Sequence, residues 1–318
     1  MFESEPVAEM DENKNFCHKI LVLLLNACYS VEMSKISATI ITFNEEKNIR
    51  RCLESLDFVD EIIVIDSFSV DKTIDICKEF NVKIYFNKFE NFGNQKNFAE
   101  SKSQGPWILN IDADEVVSRE LRQEILDISE LLEFSQSGQS GQSAESGGLP
   151  DMFLLKRRNF FFHKAVKYGG TYPDYNARLY KKGSARWTEP EVHEILLLND
   201  VNGKTAKLKN DLLHYTCNSI EEYIETSVRY SELSVKKIIK NRQASFIELK
   251  LVYKPIVKFL ELYILKRGFL DGYIGFFLAV SSMFSVFFRM QMLYQYKILS
   301  KIDSQKDNTR HSTKDNKV

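Results

Sequence analysis

The chain has 318 residues, 44% of them hydrophobic and 12% aromatic, with a formal net charge of -1. That content supports a large core, as one domain with an appendage or as two domains, and the near-neutral balance excludes the global basic field of a nucleic-acid binder. The five cysteines, Cys17, Cys28, Cys52, Cys77 and Cys217, form no CxxC pair, which argues against a disulfide scaffold or a cysteine zinc site and fits a reducing cytoplasm.

Residues 1–34 read as an N-terminal extension. An apolar run, Ile20 to Leu25, precedes Cys28 in the manner of a signal peptide, but Glu3, Glu5, Glu9, Asp11 and Glu12 stand where a signal carries positive charge. An unstructured extension, or a true start at Met33, is the alternative expectation. The catalytic region is expected over 35–217. Ile36 to Thr42 is a β-branched run of the kind buried on both faces. Asn44 is expected to cap a helix carrying Ile49, Leu53 and Leu56 at helical spacing. Glu61 to Ile65 is a second strand, followed by a helix from about Val70 to Phe80 and a third strand, Val82 to Phe86. Pro106 to Ile111 is the fourth.

Strands alternating with helices predict an α/β fold with a Rossmann-like, mostly parallel sheet, whose ligands sit at the carboxyl ends of the strands. A Ser/Gly/Gln-rich stretch, 135–149, reads as a flexible surface insertion.

Those strand ends offer Thr42, Phe43, Asn44 and Glu45 after the first strand, Asp66 after the second, and Asp112-Ala113-Asp114 after the fourth. An aromatic ring beside acidic acceptors suits a nucleoside. Two carboxylates flanking a small residue can share a divalent cation, Mg²⁺ or Mn²⁺, which then neutralises a departing diphosphate. The competing expectation is that Asp112 or Asp114 caps the helix starting near Ser118. Lys96, in Gly93 to Asn97, can reach a base carbonyl or a phosphate, or can lie on a solvated helix face.

The series ATIITFNEEKNI, EIIVIDSFSVDKT, GNQKN and ILNIDADE resembles the family 2 glycosyltransferases of the GT-A fold, and most of all the branch of lipopolysaccharide core β-1,4-glucosyltransferases. The resemblance spans about Ile36 to Tyr296. It implies that Thr42, Phe43, Glu45, Asp66 and Lys96 bind the nucleotide, with Asp112 toward the ribose and Asp114 at the metal. It also implies inversion by direct displacement, which needs a general base on the acceptor hydroxyl.

Glu189, Glu191 and Glu194 cluster around His193, and the branch has a similar VHE segment. Glu194 is the expected base, with Glu191 and Glu189 as rivals, and His193 is an expected metal or phosphate contact. His214, in His214-Tyr215-Thr216, is expected at the diphosphate or on the floor of the site. Arg157, Arg158, Arg178 and Lys181 form a basic group suited to an anionic acceptor, or else solvated surface charge.

Residues 218–300 read as helical. Tyr273 to Phe288 is strongly apolar but only 16 residues long, so basic helices around it predict a segment lying in the membrane interface, with a spanning helix or a dimer surface as alternatives. Residues 301–318 are polar and expected to be disordered. The expected function is therefore transfer of a hexose, glucose by the branch it resembles, from a UDP-linked donor to a lipid-anchored glycan such as lipopolysaccharide core, at the inner face of the cytoplasmic membrane. An inactive scaffold of a glycan-assembly complex is the alternative. A sugar nucleotidyltransferase fits less well, because no glycine-rich phosphate loop follows the first strand.

Overall fold

A computed structural model of the chain describes residues 36–136, 149–189, 194–240 and 247–315. The N-terminal extension and residues 137–148 of the Ser/Gly-rich insertion lie outside the described residues.

The strands are β1 (Ile36–Thr42), β2 (Glu61–Asp66), β3 (Lys83–Phe86), β4 (Trp107–Asp112), β5 (Glu115–Val117), β6 (Met152–Phe161), β7 (Lys164–Ala165), β8 (Asp174–Lys181), β9 (Ala185–Trp187), β10 (Leu196–Leu198) and β11 (Thr205–Cys217). Nine of them form one sheet in the order β3-β2-β1-β4-β8-β6-β11-β5, with β7 added to β6. The first four are parallel, so their carboxyl ends share one edge. β8 then runs antiparallel to β4 and to β6. β9 and β10 form a separate antiparallel ribbon.

The period-2 alternation of each strand divides the core between the two faces of the sheet. Ala38, Ile40, Val64, Leu109 and Ile111 pack on one face with Leu53 of α1 (Ile49–Glu54), Cys77 of α2 (Thr73–Cys77) and Leu121 and Ile125 of α4 (Arg119–Gln136). Ile63 and Ile65 point the other way, onto Ala99 of α3 (Phe92–Lys102), while Ile108 meets Tyr180 and Trp187. Asn110 and Asp112 share that second face, and this sets the location of the site.

The expected helix after Asn44 starts later. Asn44 has φ +56° and caps nothing: its N–H donates to Ser69 Oγ at 2.8 Å and its Oδ1 accepts from Val70 N–H at 2.8 Å. Asn tolerates the left-handed region and bonds backbone readily, so it stitches the β1 loop to the β2 loop. Neither Asp112 nor Asp114 caps α4 either; Ser118 Oγ accepts the Leu121 N–H there.

Beyond the sheet lie α5 (Ile220–Lys240), α6 (Ile247–Leu260), a π-helical turn (Glu261–Leu265), a 3-10 turn (Gly268–Asp271) and α7 (Tyr273–Asp315). Phe161, Val166 and Cys217 of the sheet end pack with Ile274, Tyr223 and Leu278, which seats α5 and α7 on the sheet. The buried Asp271 carboxylate accepts the N–H groups of Lys167 and Tyr168 and ties the 3-10 turn to the loop after β7. The backbone of α7 stays helical past residue 301, where a disordered tail was expected; after Gly275 no Gly or Pro interrupts it. Within it, Tyr273–Leu299 is long and apolar enough, by length and composition, to cross a membrane. The expected 16-residue limit stopped at Arg289, but the apolar helix runs on through Met290 to Leu299.

The closest approach in the catalytic region is at Gly93 of α3, where an added Cβ would lie 1.9 Å from the Thr188 carbonyl oxygen. Gly93→Ala is therefore expected to cost about 1–3 kcal/mol through forced displacement of the backbone after β9. A thermal melt should show the lower midpoint, with unchanged stability overturning the contact.

Candidate active site

The site is built around a buried guanidinium. Arg178 on β8 is 3% exposed and lies under the end of β4, where it donates to Asp112 Oδ2 at 2.5 Å, to Glu115 Oε1 at 2.6 Å and to Asn110 Oδ1 at 3.1 Å. Glu115 is fully buried, and its other oxygen accepts the Asp112 N–H at 2.9 Å. The turn carrying the two aspartates is thus held at both backbone and side chain. Burial opposes the charge of Asp112, but Arg178 and then Lys96 hold its carboxyl far below the usual range. Burial pushes Glu115 the other way, upward, against the attraction of Arg178.

Lys96 is 3% exposed, and its Nζ lies 2.9 Å from Glu194 Oε1, 3.2 Å from Asp112 Oδ1 and 4.5 Å from the centroid of the Trp187 ring. The neighbouring Asn97 clamps the backbone of Trp187, donating to its carbonyl at 3.0 Å and accepting its N–H at 3.1 Å. One turn of α3 therefore fixes β9 and brings the Glu194 carboxylate to the end of β4. Lys96 is an interior counter-ion here, not part of a solvated helix face.

Asp114 faces His214 on β11, with Oδ2 and Nε2 3.2 Å apart. His214 Nδ1 lies 2.6 Å from Asn159 Oδ1, and Asn159 Nδ2 donates to the Thr171 carbonyl. That second bond orients the amide, so Asn159 Oδ1 accepts and Nδ1 carries the proton, which leaves Nε2 directed at Asp114. Burial works against an imidazolium, yet the Asp114 carboxylate raises the His214 pKa above its ordinary value. Among the described residues no three metal-ligating side chains converge. A carboxylate with an imidazole whose far nitrogen is already fixed still fits a divalent cation that completes its shell with diphosphate oxygens and water.

At the ends of β1 and β2, Phe43 and Phe68 are 56% and 57% exposed. Ser67 N–H donates to the Thr42 carbonyl, which keeps the two loops side by side. Phe68 also stacks on Phe86, with centroids 5.8 Å apart. Exposed rings flanked by polar strand ends form a surface on which a base can stack. Thr42 Oγ1 is buried with no hydrogen-bond partner among the described residues. Both Asp66 oxygens accept the Ser69 N–H, so this fully buried carboxylate shapes the Phe68 loop. Glu45 is raised to about 7, by burial first, against its hydrogen bond from Asn48, with the Asp114, Glu222 and Asp71 charges adding to the rise.

The profile of Glycosyl transferase family 2 matches residues 37–176. An uncharacterized glycosyltransferase of Rickettsia felis is 31% identical over 296 residues, covering 90% of this chain and 99% of that protein. The chain is a family 2 glycosyltransferase. The lipopolysaccharide core biosynthesis glycosyltransferase LpsC of Rhizobium meliloti is similar at 27% identity, over 82% of this chain and 92% of that protein. Among solved structures, S. aureus TarS 1-349 in complex with UDP-GlcNAc aligns over 81% of this chain and 83% of that chain, at 15% identity and a TM-score of 0.41.

In this glycosyltransferase several expected site residues sit elsewhere than on an acceptor face. Arg178 is an interior counter-ion, and the Arg157 guanidinium is held by Asp174 at 2.7 Å with Glu115 at 3.7 Å. Arg158 pairs with Asp211. These three charges are matched by carboxylates within the fold, whereas Lys181, the fourth of the group, is exposed. Glu189 points to the surface, pairing with Arg186, whereas Glu194 reaches the crevice. Glu191 and His193 lie outside the described residues. Glu115, Asn159 and Phe68 stood within the segments singled out in the sequence but were assigned no role there. Glu115 adjoins the Asp-Ala-Asp triplet, and an aromatic between two serines after β2 was the available sign of Phe68.

Arg178→Met is expected to lower stability by about 3–5 kcal/mol at pH 7, because it leaves the buried Glu115 and the partly buried Asp112 without the cation they share. Denaturant melts should show the deficit shrinking as pH falls and those groups take up protons, and partly recovering in R178M/E115Q. Glu45 gives the opposite signature. Its raised folded pKa means that its contribution to stability falls as pH rises from 4.5 to about 7. Glu45→Gln should therefore raise the thermal midpoint at pH 8, with the gain vanishing toward pH 4.5.

Proposed function

We propose that this glycosyltransferase moves a hexose, with inversion, from a UDP-linked donor to a lipid-anchored glycan at the inner face of the cytoplasmic membrane. The observation that carries the chemistry is the Lys96 ammonium joining Asp112, at the donor strand end, to Glu194. It brings a carboxylate that can accept a proton next to the group expected to hold the ribose.

Glu194 takes the proton of the acceptor hydroxyl as that oxygen attacks the anomeric carbon, and the bond from carbon to the phosphate oxygen breaks. Lys96, buried between the two carboxylates, orients Glu194 and keeps Asp112 in place. Phe43 and Phe68 stack on the base, and Thr42 Oγ1 offers it a hydrogen bond. Asp114 and His214 would hold Mg²⁺ or Mn²⁺, which when bound neutralises charge on the departing diphosphate. The likeness to LpsC supports a lipopolysaccharide core acceptor. The length and apolar character of Tyr273–Leu299 support membrane attachment. So do the exposed Val252, Ile256, Leu260 and Leu265, which lie among Lys254, Lys258 and Lys266.

A panel of UDP-sugars, with Mg²⁺, Mn²⁺ or EDTA, tests the donor and the metal. Asp114→Ala and His214→Ala should each remove metal-dependent turnover while the thermal midpoint persists; unchanged turnover in both would sink the metal assignment. Glu194→Gln should lower kcat by roughly 10²–10⁴-fold, with donor KM little changed, if it is the general base. A variant that retains kcat would move the base to Glu191.

A further inference from the structure

A groove of about 390 Å³ runs between α5 and α7. That is the size of a site for a small organic ligand. Its walls include Ile224 and Val228 of α5 and Phe276, Val280, Phe284 and Phe288 of α7, and no charged side chain lines it. Two of the hydroxyls in it are turned back on their own helices: Ser231 Oγ donates to the Ser227 carbonyl at 2.8 Å and Ser285 Oγ to the Ser281 carbonyl at 3.0 Å. An occupant therefore meets hydrocarbon and satisfied hydroxyls, which favours an apolar chain over a polar ligand.

Three observations identify that chain. First, the α7 wall belongs to the segment long and apolar enough to cross a membrane. Ile224, Phe276, Phe284 and Phe288 line the groove yet remain 45–53% exposed, so it opens toward hydrocarbon. Second, α5 and α7 meet again beyond the lining residues, in the Val235–Leu293 cluster. Arg229 and Arg289 follow the lining residues Val228 and Phe288 in sequence; Arg229 lies over the Tyr230 ring, Arg289 Nε donates to the carbonyl of the lining Ser285 at 3.3 Å, and neither has a carboxylate partner among the described residues. Two guanidiniums with no carboxylate beside an uncharged slot complement an anionic amphiphile. Third, α5 follows directly on β11, the strand that carries His214, and Tyr223, which lines the groove, packs with Phe161 and Cys217 at the end of the sheet.

We infer that the groove between α5 and α7 seats one hydrocarbon chain of the anionic membrane amphiphile that carries the acceptor glycan, with Arg229 and Arg289 at its head group and the glycan directed to Glu194. This rests on the lipid-anchored acceptor proposed above and adds where its tail is held.

The test uses the full-length protein in nanodiscs of zwitterionic lipid, with a diazirine-bearing dodecyl phosphate as photoprobe and peptide mapping of the label. Label is expected in the groove, at residues such as Ile224 and Val280. Unlabelled dodecyl phosphate should displace it, and inorganic phosphate should not. Ser281→Trp, which fills the groove, should cut groove labelling by about tenfold or more, whereas Leu265→Trp, on the exposed turn outside it, should not. UDP-sugar hydrolysis within twofold of wild type certifies that the variant is folded, and Ser227→Trp, from the other wall, serves if S281W fails that criterion. Groove labelling unchanged in a folded, filled variant overturns the inference. So does label confined to the outer face of α7, competition by phosphate alone, or cross-links joining two copies through the groove. Absence of sugar-nucleotide turnover in the wild-type protein would instead sink the donor reading, whatever the labelling shows.

Discussion

The site depends on one buried cation. Arg178 sits in the interior, where an unpaired charge would be prohibitive, and is tolerated because Asp112, Glu115 and Asn110 surround it. The dependence runs both ways, since Asp112 and Glu115 need the guanidinium as much as it needs them. The turn between β4 and β5 is over-determined as a result. Asp112 is fixed through its side chain and through its N–H, and Asp114, two residues on, is presented to His214. Preorganisation of this kind is what a transfer reaction asks of its donor side, because groups already in place need no reorganisation when charge develops.

The same economy of position links the end of β4 to Glu194. α3 lies against the sheet with Gly93 in van der Waals contact with the chain after β9, so Lys96 and Asn97 project at fixed height. Asn97 holds Trp187 by its backbone, Trp187 floors the Lys96 ammonium, and Lys96 reaches Glu194. A residue 98 positions later in sequence is thereby set beside the end of β4. Beyond the sheet, α5 continues from β11, packs through Tyr223 on the sheet end, and lies against α7, with an apolar slot between the two helices.

Much of the architecture could be read from the chain. The β-branched runs of β1, β2 and β4 and the helices between them predicted a parallel sheet, and the motifs at the strand ends carried the resemblance to the family 2 glycosyltransferases. Local turn chemistry was read less well. Asn44 looked like a helix cap because Asn caps helices, but its side chain found backbone partners in the neighbouring loop, a contact 26 residues away. The helical tail past residue 301 was misjudged because polar composition was taken for disorder, although nothing in it stops a helix.

By itself the sequence determined the parallel sheet, the edge at which ligands gather and the identity of the residues standing there, because those follow from period-2 alternation and from chain order. Only the tertiary structure decided which charges are interior partners and which are free. Arg157 and Arg178 looked like an acceptor's anion site, and Lys96 was open to a solvated reading. Each proved to be matched by a carboxylate from a distant strand or loop. Charge in a sequence says that a partner is needed; which partner, and whether any capacity remains for a ligand, is set by long-range packing.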